Sequence, residues 1–140
     1  MSILGAISTR EEYGLRLILG LAKTYYNRQA ISLAEIGQSE NISVKYLEQI
    51  IVPFRQAGWI KSQRGRSGGY IMTKNPKTIS LKSVVLALCG KNDSLVPCLS
   101  NRCGCPQSFQ HKCFSRQAWI KIQKTLEDSL AQINLAELLK

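Results

Sequence analysis

Residues 31–70 read ISLAEIGQSENISVKYLEQIIVPFRQAGWIKSQRGRSGGY, and this stretch decides the fold. Ser32 and Glu35 form an S-x-x-E capping box, in which each side chain satisfies a backbone N–H at the start of a helix. That box opens a short helix. Ser43 is placed to cap a second one, because its hydroxyl can accept from an N–H that no helical turn pairs. Tyr46, Leu47, Ile50, Ile51 and Phe54 then recur at helical spacing and make one apolar face. Pro53 falls inside the pattern, where its missing N–H permits a bend. Gly58 stops the helix. Trp59 to Gln63 and Tyr70 to Thr73 are strand-like runs flanking the turn-rich segment from Arg64 to Gly69, so a β-hairpin with a longer loop is expected. Two short capped helices, a tight turn between them and a hairpin after them make a winged helix-turn-helix.

Outward from this stretch the pattern stays helical. Ser8 or Thr9 can cap a first helix, with Glu11 and Glu12 in its first turn where the dipole favours acids. Tyr13, Leu17 and Leu21 repeat every four residues, with Leu15, Ile18, Leu19 and Ala22 beside them, and the helix is expected to end near Asn27. ISLKSVVLALCG, residues 79–90, reads as an apolar helix. Residues 90–113 hold Pro97, Pro106 and many polar groups and read as a loop. A long helix follows from Ser115 to Ile133. Trp119, Ile122, Leu126 and Ile133 recur at heptad-like spacing along it, with Leu130 beside them and Ser129 breaking the seam, so the stripe is a core face or a dimer seam. The expected class is mainly α with a small β-hairpin wing, a winged helix-turn-helix plus a long C-terminal dimerisation helix. Residues 1–80 form the DNA-binding part, and 81–140 the cysteine loop and dimerisation helix.

Nineteen Lys and Arg against nine Asp and Glu give the 140-residue chain a formal charge of +10. Such a balance points to a polyanionic partner. The charge concentrates between Lys45 and Lys77, where seven basic residues meet one acid, Glu48. With 44% apolar residues the chain can bury a core. No apolar run reaches the roughly eighteen residues of a membrane span. The N-terminus lacks the basic start and small-residue cleavage site of a signal peptide, so the expected compartment is the cytoplasm. No phosphate-binding glycine loop and no thioredoxin-like C-x-x-C appears, which argues against an enzyme.

A recognition helix enters the major groove with its N-terminal residues on base edges. Those residues are Ser43, Val44, Lys45, Tyr46, Glu48 and Gln49. Glu48 is informative because a carboxylate is repelled by phosphates. In a groove it should accept a hydrogen bond, best from cytosine N4. At the wing tip, Arg64, Arg66 and Ser67 can reach phosphates, or the arginines a narrow minor groove. The expected partner is double-stranded operator DNA.

Four of the five cysteines lie in PCLSNRCGCPQSFQHKCF, residues 97–114, as C-x4-C-x-C-x7-C. In a reducing compartment, clustered thiols favour metal or redox chemistry over disulfides. Thiolates are soft ligands suited to iron–sulfur clusters, zinc or copper(I). The spacing is neither that of a zinc ribbon nor that of a ferredoxin. Cys89 sits apart in an apolar helix and reads as a small buried hydrophobe. His111, the one histidine, reads as a surface residue.

STREEYGLRLILGLA, the 31–70 stretch, and CFSRQAW followed by INLAELL together resemble the IscR/NsrR group of winged-helix regulators, the Rrf2 family. SVKYLEQI before an R-G-x-x-G-G-Y wing is the most specific part, and the likeness spans essentially the whole chain. The resemblance implies a homodimeric transcription factor whose long C-terminal helix pairs with its partner's. It also implies that the cysteine loop holds a 2Fe–2S or 4Fe–4S cluster through three cysteines. Cys98 and Cys113 match the first and last of these. Cys103 or Cys105 takes the middle position, and the more even division C-x6-C-x7-C favours Cys105. Where IscR-type members carry a histidine ligand three residues after the last cysteine, this chain has Arg116, which has no lone pair to give. In NsrR-like members a carboxylate of the partner subunit completes the site, and the matching position here is Glu12. Cys103 is the other candidate for that place. The competing expectation is a family member without a cluster, in which Cys103 and Cys105 act as a thiol switch or hold zinc, with Arg102 and Lys112 lowering a thiol pKa.

Overall fold

The computed structural model describes residues 8–89, 94–100 and 103–140. The reading of the extreme N-terminus, Gly90 and Arg102 lie outside these residues.

Helix α1, Thr9–Lys23, starts at Ser8 as N-cap, and the Glu11 carboxylate accepts the Ser8 backbone N–H. It ends four residues earlier than the apolar pattern suggests. Thr24 Oγ1 donates to the Leu21 carbonyl at 3.0 Å, and the chain leaves through turns to Arg28, whose φ is 52°. A hydroxyl that bonds back to the last turn competes with helix propagation.

Helix α2, Leu33–Glu40, opens on the expected box: Glu35 N donates to Ser32 Oγ and Glu35 Oε2 accepts from Ser32 N. Asn41 closes it with φ 56°, a left-handed conformation that asparagine tolerates. Helix α3, Val44–Ile50, is capped by Ser43, which accepts from Tyr46 N at 3.3 Å. At the expected bend the helix is interrupted at Ile51, whose backbone stays in the αR region. Helix α4, Val52–Gln56, is separate, with Pro53 in its first turn, where the missing N–H costs nothing. Gly58 follows with φ 72°.

Strands β1, Ile60–Gln63, and β2, Gly69–Met72, pair antiparallel, Ile60 opposite Met72 and Gln63 opposite Gly69. The hairpin is not free-standing. Tyr70 N donates to Ile31 O at 2.8 Å and Ile31 N to Tyr70 O at 3.0 Å, which ties the wing to the segment leading into α2. Gly69 makes this possible. Its φ is 151°, and a Cβ there would lie 2.4 Å from the Ile31 carbonyl oxygen. Gly69→Ala should therefore destabilise the protein by about 1–3 kcal/mol and lower its melting temperature. Thermal denaturation indistinguishable from wild type would show that the wing is not held this way.

Helix α5, Leu81–Cys89, follows a 3-10 turn at Pro76–Thr78. The cysteine stretch is more ordered than a plain loop, with a 3-10 turn at Pro97–Leu99 and helix α6, Gln107–Gln110. Helix α7, Phe114–Gln132, is the long helix, and a 3-10 turn at Leu135–Leu139 ends the chain.

A single core joins the two ends of the sequence. Leu17, Ile18 and Leu21 of α1, Ile36 of α2, Leu47 and Ile50 of α3 and Phe54 of α4 are buried together with Val84, Leu88 and Leu135. Each such side chain stabilises the fold by about 1.5–3 kcal/mol. Leu135 is held there because Leu135 N donates to the Ile79 carbonyl and Leu81 N to that of Ile133. The architecture is mainly α with a small hairpin wing, a winged helix-turn-helix carrying a long C-terminal helix.

Candidate nucleic-acid interface and cysteine site

Burial separates the two faces of α3. Leu47 and Ile50 enter the core, while Lys45, Glu48 and Gln49 are exposed. Spacings of three and four put these three on one helix face. Ser43 is spent as the cap, although it is exposed. Tyr46 is half-buried, its ring edge-on to Tyr13 at 5.8 Å, so it anchors α3 to α1. Arg64, Arg66 and Ser67 are all exposed at the tip of the β1–β2 hairpin. The pairing of Ile31 with Tyr70 holds that tip in a set relation to α2 and α3. A basic wing beside an exposed polar helix face is what phosphate contact and groove reading need.

No disulfide forms among the described residues, so the cysteines are thiols. Cys113 is the N-cap of α7. The turn carrying Cys98 packs against α7, and Leu95 N donates to Gln123 Oε1 at 3.4 Å. Cys103 lies within hydrogen-bond reach of Cys105 and, by that bond and by charge, pushes the Cys105 thiol up; desolvation, Cys113 and Cys98 add to the effect. The structure thus places Cys103 beside Cys105, with Cys113 and Cys98 close enough to be felt by charge. Among the described residues, however, no three His, Cys, Asp or Glu side chains are gathered closely enough to hold a metal ion. Thiolates are the right donor chemistry for a cluster, but Cys98, Cys105 and Cys113 are not gathered at metal-binding distance in this protomer.

Glu12 is exposed on α1 and paired with Arg16 at 2.7 Å, away from its own chain's core. His111 is exposed at the end of α6.

Cys89 corrects the sequence reading. It is half-buried rather than filling the core, and its thiol donates to Glu11 Oε1 at 2.7 Å. Glu11 is the buried charged residue of the described fold, at 9% exposure. Burial pushes its carboxyl up, but hydrogen bonds from Cys89 and Ser8 outweigh that and hold it below the usual carboxylate range. The bond clamps the start of the cysteine segment to the first turn of α1. Ser8 and Glu11 were visible as a cap pair, but the thiol partner 78 residues away was not.

On α7 none of the nineteen residues is fully buried. Trp119, Ile120 and Ile122 are about 40% exposed and Phe114 91%. The helix also packs on α5, where Lys82 pairs with Glu127 at 3.0 Å. An apolar strip on a helix that already has one neighbour marks a surface for another. No helix among the described residues is long and apolar enough to cross a membrane.

Comparison with known proteins agrees with this geometry. A family model described as an iron-dependent transcriptional regulator, Rrf2, matches residues 7–140. The protein Rrf2 of Nitratidesulfovibrio vulgaris is 34% identical over 134 residues, 96% of this chain and 87% of its own length. The solved structure of CymR, the global cysteine regulator of B. subtilis, superposes with a TM-score of 0.78 at 32% identity, covering 95% of each chain. The structure of T. potens IscR superposes with a TM-score of 0.74 at 30% identity, covering 95% of this chain and 85% of the other. The family is one of transcriptional regulators rather than enzymes. A match over nearly the full length, by a fold with an exposed recognition helix and wing, has one consequence: the chain belongs to the Rrf2 family of transcriptional regulators.

Proposed function

We propose that this protein is a homodimeric, cytoplasmic regulator that reads operator DNA and senses iron–sulfur, redox or nitric oxide status through a cysteine-ligated cluster. One observation carries the reading: Cys113 is the N-cap of α7, the helix that also bears exposed apolar residues, and Cys103 and Cys105 lie beside each other shortly before it. Cys98, Cys105 and Cys113 would hold a 2Fe–2S or 4Fe–4S cluster, with Glu12 of the partner subunit completing it. When bound, the cluster supplies a group whose charge and ligation change with iron, oxygen or nitric oxide. The chain's own residues do the rest. Residues 81–140 hold the cluster and pair the subunits, and 1–80 read DNA. A change at Cys113 acts on the first turn of α7. Because α7 pairs the subunits, it also alters the spacing of the two α3 helices. Binding to both half-sites at once makes affinity steep in that spacing. Anaerobic purification with iron and sulfide counts and a visible spectrum tests the reading; protein without iron would overturn it.

An exposed carboxylate at the start of α1 supports Glu12 as the ligand from the partner. Glu12→Ala should leave the protein coloured but shift its spectrum and shorten the cluster's lifetime in air. If Glu12→Ala matches wild type while Cys103→Ala is colourless, Cys103 is the fourth ligand instead.

On the DNA side, Arg64→Ala and Arg66→Ala should weaken all duplexes, each lowering the salt slope by about one per lost phosphate contact. Glu48→Ala should cost about 1–3 kcal/mol at one base position and relax selection there. Selection from a random pool that returns the same motif for Glu48→Ala and wild type would remove the base-reading role.

The second reading keeps the regulator but not the cluster. The neighbouring Cys103 and Cys105, close enough for one thiol to push up the other, favour it, as a dithiol that forms a disulfide or binds zinc. A colourless protein whose DNA affinity changes on mild oxidation, or with zinc, would establish it.

A further inference from the structure

The first residue of the recognition helix α3 is apolar and exposed. Val44 stands at 41% exposure, directly after the Ser43 cap and before Lys45. Its position is tightly set. Ile42 N donates to the Gly37 carbonyl at 2.9 Å, which folds the turn back against α2. A Cβ added at Gly37 would lie 2.6 Å from the Ile42 carbonyl oxygen and 3.6 Å from Val44 Cγ2. Glycine at position 37 therefore lets the turn close, and one branch of Val44 comes to rest over it. A β-branched side chain has few χ1 choices, so setting one methyl sets the other. The exposure of Val44 is left to its second branch.

Position says what that branch can meet. The N-terminal residues of a recognition helix lie against base edges in the major groove. Val44 and Glu48 are four residues apart, which places them one turn from each other on the same side of α3. Valine neither donates nor accepts a hydrogen bond. Set against a base amino, carbonyl or ring nitrogen, it would displace water and leave that group unpaired, at a cost. Among the groups that base pairs show in the major groove, the C5-methyl of thymine is the apolar one.

We propose, resting on the DNA-reading function above, that Val44 is a specificity-determining residue whose outward branch packs on the C5-methyl of a thymine near the position that Glu48 reads. The two side chains select different groups. Glu48 needs a donor, which cytosine N4 supplies, and Val44 needs a methyl. The contact adds no charge, so it contributes to base choice and not to the salt-dependent attraction for the backbone.

The test starts from full-length wild type and a pool of random-sequence duplexes, from which a bound motif is selected. Each thymine of that motif is then replaced by deoxyuridine, with symmetry-related positions changed together. Deoxyuridine pairs as thymine does and lacks only the methyl. Fluorescence anisotropy reads the affinities of wild type and Val44→Ala. At one thymine position, near the one that relaxes in Glu48→Ala, wild type should lose roughly fourfold per half-site, the worth of one buried methyl. Val44→Ala should bind the thymine and deoxyuridine duplexes equally at that position, and its salt slope should match that of wild type. The deoxyuridine scan is made on wild type, so its result does not depend on how a variant folds. A motif whose thymines all tolerate deoxyuridine overturns the inference alone. So does an equal loss in Val44→Ala and wild type, which would assign the methyl to duplex shape or to another side chain. Wild type that enriches no motif from the pool overturns the reading of operator DNA and this inference together.

Discussion

Replacing Trp119 and Ile122 together by aspartate should leave a monomer that binds a two-half-site operator about 10²–10⁴-fold more weakly, while its affinity for an isolated half-site is unchanged. The argument starts from exposure. Trp119 and Ile122 are close to 40% exposed on a helix that otherwise packs on α5. Their spacing of three puts them on one strip, which Leu126 and Ile133 continue. Two such strips joined around a twofold axis would bury four new carboxylates in the double variant. Each desolvated charge costs several kcal/mol without a partner. The substitutions lie at exposed positions, so the fold of the monomer should survive, and circular dichroism checks this. Sedimentation at micromolar concentration reads the oligomeric state, and fluorescence anisotropy the two affinities. A double variant that still sediments as wild type would place the subunit contact elsewhere.

On the cluster reading proposed above, loss of a single cysteine should be nearly all-or-none for the cofactor. Cys98→Ala and Cys113→Ala should each yield colourless protein with little iron or sulfide, because a cluster missing a thiolate exposes an iron to solvent. Cys113 makes no side-chain cap bond to α7, and both residues are outside the core. Stability without the cluster should therefore stay within about 0.5 kcal/mol of wild type. That separates ligand loss from unfolding. A Cys113→Ala protein that keeps wild-type iron and sulfide would remove Cys113 from the site. Cys89→Ala is the contrast: it should keep the colour, because the Cys89 thiol is bonded to Glu11 of α1.

Local chemistry was enough for the DNA-reading half. A capping box at Ser32 and Glu35, a cap at Ser43 and a stop at Gly58 act within a few residues, so spacing alone located α2, α3 and the hairpin. Period also separated Leu47 and Ile50 from the exposed Lys45, Glu48 and Gln49, because burial on a helix follows its pitch. The cysteine motif was visible as composition and spacing, and the exposed Trp119 and Ile122 of α7 as part of a heptad-like repeat whose Leu126 and Ile133 are half-buried. The end of α1 was not, because Thr24 bonds back to Leu21 and an apolar pattern does not register that competition.

Long-range partners needed the tertiary structure. The wing is tied down by Tyr70 pairing with Ile31, and the C-terminal segment by Asn134 pairing with Ser80, through backbone groups that every residue carries and no side-chain pattern announces. Cys89 looked like core filler until α1 was packed against α5 and brought the Glu11 carboxylate within 2.7 Å of it. Arg116 could be excluded as a metal ligand from its chemistry alone. That its Nε is buried without a partner depends on what folds over the first turn of α7, and only three-dimensional packing decides that.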